Sequence, residues 1–149
     1  MVFAATRDAT QSISSSLVPE TGNAMRWETV TLDLLGGWDA GTPNRYQPTI
    51  PGWYRCEGAA SLAPNTTGGI RGVGWLQNGS LPAASGARPH VASAYSNATV
   101  TMSARSLPLL FNGSTDYLEL APFQNTGAAL DTATGSIRPY IAIYYAGPA

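Results

Sequence analysis

The chain has 149 residues and a net charge of −1, and charged residues make up 11% of it against a usual share of about 25%. The absence of a strongly basic balance argues against a nucleic-acid partner, because phosphate binding needs a concentrated cationic surface. A single cysteine excludes an internal disulfide and a cysteine-based zinc site. The sequence also lacks an apolar run of about 18 residues, so we expect no membrane insertion and no signal peptide.

Short alternating segments separated by 16 glycines and 11 prolines are typical of an all-β sandwich or barrel. The one helical candidate, 12–18, has three consecutive serines and no capping pattern. The predicted strands, in chain order, are Phe3–Thr6, 27–34, 46–50, 53–60, Ile70–Gln77, 98–105, 117–123 and 140–145. We expect long loops at 61–69 and 80–96.

The alternation within these segments predicts which side chains share a face. In 27–34, Val30, Leu32 and Leu34 fall on one side of the predicted strand. Asn78-Gly79 and Asn112-Gly113 predict tight turns, because both residue types tolerate positive φ. The sequence predicts one domain, with an N-terminal arm and first strand in 1–20 and the main β body in 21–149.

A more specific signal lies in 36–54, where an aspartate, a threonine-containing turn, an aromatic residue and a proline precede Pro-Gly-X-Tyr. Further landmarks follow in order, at 70–80, at 112–120 and at the pair Gln124-Asn125. This pattern resembles the globular head of the complement-type family (component 1, subcomponent q) in the tumour necrosis factor (TNF) superfamily. The residues that match in order and spacing are Asp39, Thr42, Tyr46, Pro48, Pro51, Gly52 and Tyr54.

The resemblance implies a jelly roll of about ten antiparallel strands that assembles as a homotrimer. It is stronger toward the bacteriophage virion branch than toward the animal branch, because the sequence has no collagen-like Gly-X-Y stalk and no paired cysteines. Calcium and partner roles of the animal branch are therefore not transferred to this chain.

The last predicted strand supports self-association on its own residues. Tyr140 and Tyr144 point to one side, while Ile141 and Ile143 point to the other, so both faces are apolar or aromatic. A single sandwich core covers only one of these faces, and copies of the chain would cover the second. The predicted interface residues are Phe3, Trp53, Tyr54, Tyr140 and Tyr144.

Catalytic chemistry finds little support in the sequence. The single histidine, His90, has no nucleophile motif or metal-ligand spacing around it. Asp116 and Glu119 fall on opposite faces of a strand, which disfavours a shared acid–base site, and Asp116 is predicted to cap a turn. Asp39 is the one acid in its loop, whereas Ca²⁺ prefers six to eight oxygen ligands. We expect no catalytic residue, no cofactor and no metal.

Two remaining features are interpreted as structural. Cys56 lies on the inward side of its predicted strand and is expected to be a buried apolar residue. The four Asn-X-Ser/Thr sequons, at Asn65, Asn78, Asn97 and Asn112, are interpreted as turn chemistry rather than as glycan acceptors.

These observations favour a non-enzymatic, homotrimeric bacteriophage protein on the virion surface, made in the host cytoplasm. The first hypothesis is capsid decoration, with the major capsid protein as a partner. The alternative is a receptor-binding head on a tail fibre or tail tip, which recognises a host surface glycan or protein through 61–69 or 80–96. An enzyme that cleaves glycans with carboxylates alone is disfavoured by the scattered acids.

Overall fold

A computed structural model describes residues 1–82, 90–93 and 97–149. These residues form eleven strands and two short 3₁₀ helices. Neither helical turn is long enough to cross a bilayer. The strands are β1 (Phe3–Thr6), β2 (Ser12–Ile13), β3 (Thr29–Asp33), β4 (Gly52–Leu62), β5 (Ile70–Gln77), β6 (His90–Ser93), β7 (Val100–Arg105), β8 (Leu109–Phe111), β9 (Leu118–Gln124), β10 (Leu130–Asp131) and β11 (Tyr140–Gly147).

A six-stranded antiparallel sheet, the large sheet, contains the centre of the fold. Its strand order is β3-β1-β11-β4-β7, and β8 pairs with the first part of β4. The last strand, β11, lies between β1 and β4, so Ile143 is opposite Phe3 on one side and Cys56 on the other. The two ends of the chain therefore meet in the middle of the sheet.

A second layer packs against the large sheet. It consists of a three-stranded sheet in the order β6-β5-β9 and the pair β10-β2. The two layers approach closely at Gly58, which points inward from β4 between Trp75 of β5 and Leu120 of β9. The core between the layers is aromatic and aliphatic, and fully buried rings such as Phe3, Trp75 and Phe111 fill it.

The small three-stranded sheet is covered by the chain itself. All seven residues of β9 are buried, on both faces of the strand. The segment after β2 runs along the free edge of β9, where Met25 N donates to Leu120 O at 2.9 Å and Ser16 N donates to Gln124 O at 2.7 Å. The N-terminal arm is thus part of the domain, with Ile13 fully buried.

Close packing at Gly58 predicts a large effect of adding a side chain there. A Cβ atom at this position would lie 2.7 Å from Leu120 Cδ2 and 3.0 Å from the Tyr140 carbonyl oxygen. We expect Gly58→Val to lower the free energy of unfolding by about 3 kcal/mol, since overpacking displaces neighbours in a dense core. Denaturant unfolding of Gly58→Val and of Gly69→Val, whose Cβ would meet no atom within 4 Å, measures this difference. Equal losses in the two variants would contradict it.

Most of the predicted strands are present with shifted ends. Phe3–Thr6 and Ile70–Gln77 are confirmed, and the predicted strand 53–60 extends to Leu62. Positive φ angles at Asn78 and Gly79 confirm the tight turn predicted for the first Asn-Gly pair. At the second pair Gly113 alone has positive φ, and the chain turns through a longer bend over 113–115.

The single apolar face predicted for 27–34 is wrong. A register shift in the pairing of β1 with β3 brings Val30 opposite Ala5 and Leu32 opposite Ala4. Consecutive β1 residues point to opposite faces, so Val30 packs against the core while Leu32 shares the outer face with Ala4. Leu34 is exposed beyond the end of the strand.

Other differences from the predicted elements concern short pairings. The segment 46–50 is not a strand, and Tyr46 alone bridges to Trp38 and Leu118. The helical candidate 12–18 contains β2 instead. The predicted loop 80–96 contains β6, and its remaining residues from 83 to 89 and from 94 to 96 lie outside the described part of the chain.

Candidate functional site: the outer face of the large sheet

The large sheet has an outer face that is exposed or half-buried over most of its extent, although Ala59 and Ser61 near the end of β4 are buried. Strand alternation places Phe3, Ile141, Ile143 and Cys56 toward the core, so their neighbours point outward. One outward row crosses five strands and is formed by Leu32, Ala4, Ala142, Glu57 and Arg105.

Aromatic residues flank this row on both sides. On one side, Tyr140 lies opposite Ala59 and is 42% exposed. On the other side, Tyr144 lies opposite Arg55, and Trp53, which is 40% exposed, pairs with Leu110. Small residues in the middle and rings around them form a flat apolar surface with charges toward one edge.

Three of the five predicted interface residues, Trp53, Tyr140 and Tyr144, lie on this face. Phe3 and Tyr54 do not, because each is fully buried within a single subunit and has no surface left for a partner. The interface role predicted for these two residues is therefore wrong.

The two buried rings have partners inside the subunit. Phe3 stacks on Tyr46 with ring centroids 4.5 Å apart. Tyr54 packs edge-on against Phe111 and Tyr145, and its hydroxyl donates a 2.8 Å hydrogen bond to Ile50 O. Burial raises the pKa of Tyr54, and the nearby Tyr145 adds to the shift. Aromatic residues occur both in protein cores and at interfaces, so the residue type alone does not tell a core ring from an interface ring.

The sequence reasoning did not include the small residues Ala4 and Ala142 or the pair Trp53–Leu110 in the site. Alternation of β11 places Ala142 between Tyr140 and Tyr144, and this signal was sufficient to include it. Leu110 carried no comparable signal, because β8 has only three residues. Its position depends on the pairing with β4, which links distant parts of the chain.

The acids considered for catalysis or metal binding have structural partners. Asp39 Oδ1 accepts from Gly41 N at 3.0 Å, which closes a local turn. Asp116 accepts from Asn112 N and from Asn78 Nδ2, both at 2.8 Å, and this confirms its turn-capping role. Among the described residues, no three His, Cys, Asp or Glu side chains gather as metal ligands would.

Glu119 is the exception among the acids, because it is fully buried. Its Oε1 accepts from Asn44 Nδ2 at 2.6 Å and lies 3.5 Å from Arg45 Nε, while Oε2 accepts from Thr21 Oγ1 at 3.0 Å. Arg45 also lies over the Tyr117 ring, 4.1 Å from its centroid. This carboxylate joins three separate segments of the chain.

Cys56 is buried in the core, as predicted. Burial raises the pKa of its thiol to about 12, although Ser106 opposes the shift slightly. A neutral, enclosed thiol is a poor nucleophile and a poor metal ligand. His90 begins β6, and its side chain lies outside the described residues.

Three of the sequon asparagines are turn residues, and Asn78 is the one with a positive φ angle. Asn65 Oδ1 accepts from Thr67 N at 2.8 Å. Asn112 Oδ1 accepts from the backbone nitrogens of Ser114, Thr115 and Asp116 at 2.9–3.1 Å. Asn97 is exposed in a bend before β7.

Ion pairs at one end of the sheet predict a pH dependence of stability. The Thr29 hydroxyl donates to Asp8 at 2.6 Å and Arg138 pairs with the same carboxylate, so the pKa of Asp8 is held below its ordinary value of 3.8. Because the pKa of Asp8 is lower in the folded state than in the unfolded state, ionised Asp8 stabilises the fold at pH values above its unfolded-state pKa. This stabilisation is lost as the pH falls through the folded-state pKa.

We therefore expect the Tm of the wild type to fall more steeply than that of Asp8→Asn between about pH 4 and about pH 2, most clearly at low salt. Asp131→Asn, at an exposed carboxylate of β10 without an ion pair in the described structure, should keep the wild-type slope. Identical slopes for wild type and Asp8→Asn would contradict the assignment.

Comparison with known proteins identifies the class of fold. No protein family model and no curated protein sequence matches this chain. Solved structures do match, and one of them is the Eiger TNF from S. frugiperda. It aligns with a TM-score of 0.61 and 11% identity, over 100% of this chain and 96% of that chain.

At this identity the likeness establishes the fold alone. The chain is an all-β, antiparallel protein with a TNF-like jelly roll, which confirms the fold class predicted from the sequence.

Proposed function

We propose that this chain is a non-enzymatic, homotrimeric protein of the bacteriophage virion surface, with capsid decoration as its role. The observation that carries the proposal is the uncovered aromatic outer face of the large sheet. The virion location rests on the sequence resemblance and is tested separately below.

The contrast between the two layers supports self-association through the large sheet. The chain covers β9 of the small sheet with its own N-terminal segment, whereas it leaves Trp53, Leu110 and Tyr140 about two-fifths exposed on the outer face. Contiguous exposed apolar surface favours a protein interface, and aromatic residues are enriched at such interfaces. A flat face that belongs to every copy is suited to closed assembly with other copies.

The use of the acids supports the absence of catalysis. Asp39 and Asp116 cap turns, Glu119 joins three segments, and Asp8 and Glu28 form ion pairs with arginines. An acid–base pair for hydrolysis needs two carboxylates that flank an accessible substrate, and these acids are committed to structural contacts.

Light scattering coupled to size-exclusion chromatography tests the assembly. The purified chain at micromolar concentration should elute with the mass of three subunits, which is three times 15.6 kDa. A folded single subunit over the whole concentration range would contradict the proposal.

Quantitative mass spectrometry of purified virions tests the location. Copy numbers in the hundreds per particle support capsid decoration, and a few trimers per particle support a tail position. Absence of the chain from particles would contradict both.

One observation favours receptor binding as the second candidate. Arg71 is buried, and its guanidinium donates to the carbonyl oxygens of Asn65, Thr67 and Ile70 at 2.8–3.3 Å. The loop 63–69 is therefore held in one shape, as preorganised recognition loops are. Saturable binding of the trimer to host cells that is lost on replacing exposed Thr66 by arginine would favour this candidate over decoration.

A further inference from the structure

An arginine without a counter-charge lies on the outer face. Glu57 and Arg105 form an ion pair, with 3.5 Å between Arg105 Nε and Glu57 Oε1. Arg55 lies on the same side of β4 between Trp53 and Glu57 and is exposed. In the described part of the chain, its guanidinium has no ion pair, hydrogen bond or ring contact.

Concave surface surrounds this guanidinium. A cavity of about 510 Å³ is lined by Arg55, Glu57, Tyr144, Tyr145 and Ala146. Tyr144 lies directly opposite Arg55 in the pairing of β11 with β4, so its ring is on the same face as the guanidinium. A second cavity of about 350 Å³ on the β7 side also includes Arg55, with Arg105 on its far wall.

The groups that line the larger cavity favour an anion. A guanidinium offers five N–H donors in a planar fork that matches phosphate, sulfate or carboxylate. The hydroxyl of Tyr144, which lies directly opposite Arg55, is a further donor, whereas the one acidic group, Glu57, is already paired with Arg105.

Assembly makes the charge of Arg55 costly. If copies close over the outer face, each copy brings two arginines and one glutamate, Arg55, Arg105 and Glu57, into the interface. Removing an uncompensated guanidinium from water is strongly unfavourable, and like charges from neighbouring copies add repulsion. An anion that pairs with Arg55 reduces both the desolvation cost and the repulsion between copies.

We propose that Arg55, with the hydroxyl of Tyr144, binds a tetrahedral oxyanion, a phosphate or sulfate group, and that this anion promotes association of the copies. The inference rests on the proposed self-assembly for its second half only. The anion site itself is a property of the single subunit.

Sedimentation velocity on the full chain tests whether anion binding promotes association of the copies. Assembly is measured in chloride buffer and in inorganic phosphate at the same pH and ionic strength. Exclusion of water in the closed interface strengthens the pairing of the anion with Arg55, so the assembly binds the anion more tightly than the free subunit does. We expect phosphate to tighten association of the wild type by up to about tenfold per bound anion, at a concentration ten times the Kd of the assembled state. Arg55→Gln should associate equally well in both buffers, while Arg26→Gln, an exposed arginine outside the strands, should respond as the wild type does.

Equal association of the wild type in both buffers would overturn the linkage, as would a phosphate response that persists in Arg55→Gln. In those cases Arg55 pairs with a carboxylate of a neighbouring copy or stays hydrated. A sugar phosphate monoester, titrated in parallel, distinguishes a free anion from a phosphorylated glycan. Tighter binding of the monoester than of phosphate assigns the site to glycan-borne groups.

Failure of the proposed function has a different signature. If the wild type remains a single subunit in both buffers, self-assembly is wrong but the site is still measurable. Calorimetric titration of that subunit with phosphate should then give saturable binding that Arg55→Gln abolishes. Absence of saturation in the wild type would overturn the site itself.

Discussion

Replacing Ala142 by arginine is expected to leave each subunit folded and to prevent the copies from associating. Ala142 occupies the centre of the outer row, between Ala4 and Glu57, and points away from the core. The new side chain has open space above the sheet in a single subunit, so the free energy of unfolding of the subunit should change little. In the assembly the same side chain would bring one charge per copy into the apolar middle of the interface.

An unpaired charge that is removed from water at an interface costs about 3–5 kcal/mol, which corresponds to a loss of at least a hundredfold in affinity. Size-exclusion chromatography with light scattering should therefore show single subunits for Ala142→Arg at concentrations where the wild type is assembled. Ala129→Arg, an exposed alanine in the turn before β10, makes the same chemical change outside the large sheet and should assemble normally. Normal assembly of Ala142→Arg would place the interface on a different surface.

Removal of the Glu119 carboxylate should cause a large loss of stability without affecting the outer face. In Glu119→Ala, the amide of Asn44 and the hydroxyl of Thr21 lose their shared acceptor, and Arg45 loses its counter-charge. Breaking a buried pair costs about 3–5 kcal/mol, and the partial exposure of Arg45 places this case near the lower end. For a chain of this length we expect Tm to fall by roughly 10 °C.

Thermal unfolding of three proteins tests this. Glu119→Ala should lose much of its stability, and Glu119→Gln, which keeps the shape and one acceptor oxygen, should lose less. Glu20→Ala removes an exposed carboxylate that accepts from Asn23 at 3.3 Å, and its Tm should stay within about 2 °C of the wild type. A Glu119→Ala protein as stable as Glu20→Ala would show that the buried carboxylate is not a stabilising link.

The strands that the sequence predicted well are those whose pattern is local. β1 alternates between buried and half-buried residues. β5 ends at the Asn78-Gly79 turn, which depends only on the backbone of two residues. The aromatic, two-sided character of β11 likewise predicted an unfilled outer face. Trp53 and Tyr140 lie there because alternation alone decides which way they point.

Features that depend on pairing between distant segments were not predictable in the same way. The bulge between β1 and β3 moves Leu32 to the outer face, and nothing within 27–34 signals it. Glu119 was considered only as a partner for Asp116, and its burial was not predicted, because its contacts with Asn44 and Thr21 join distant parts of the chain. The burial of Phe3 and Tyr54 was likewise not predictable from local sequence, since their rings pack in the core against Tyr46 and Phe111, which lie far away in the chain.

The position of β11 between β1 and β4 has a consequence for how the molecule is made. β11 is made after the other described strands, so one edge of β1 stays unpaired until β11 leaves the ribosome. Contacts between residues so far apart in sequence close slowly, because the entropy of ordering the intervening chain is lost before the contact forms. The nascent chain therefore carries an open β edge until β11 is made, and insertion of β11 completes both the sheet and the protection of that edge from wrong pairing.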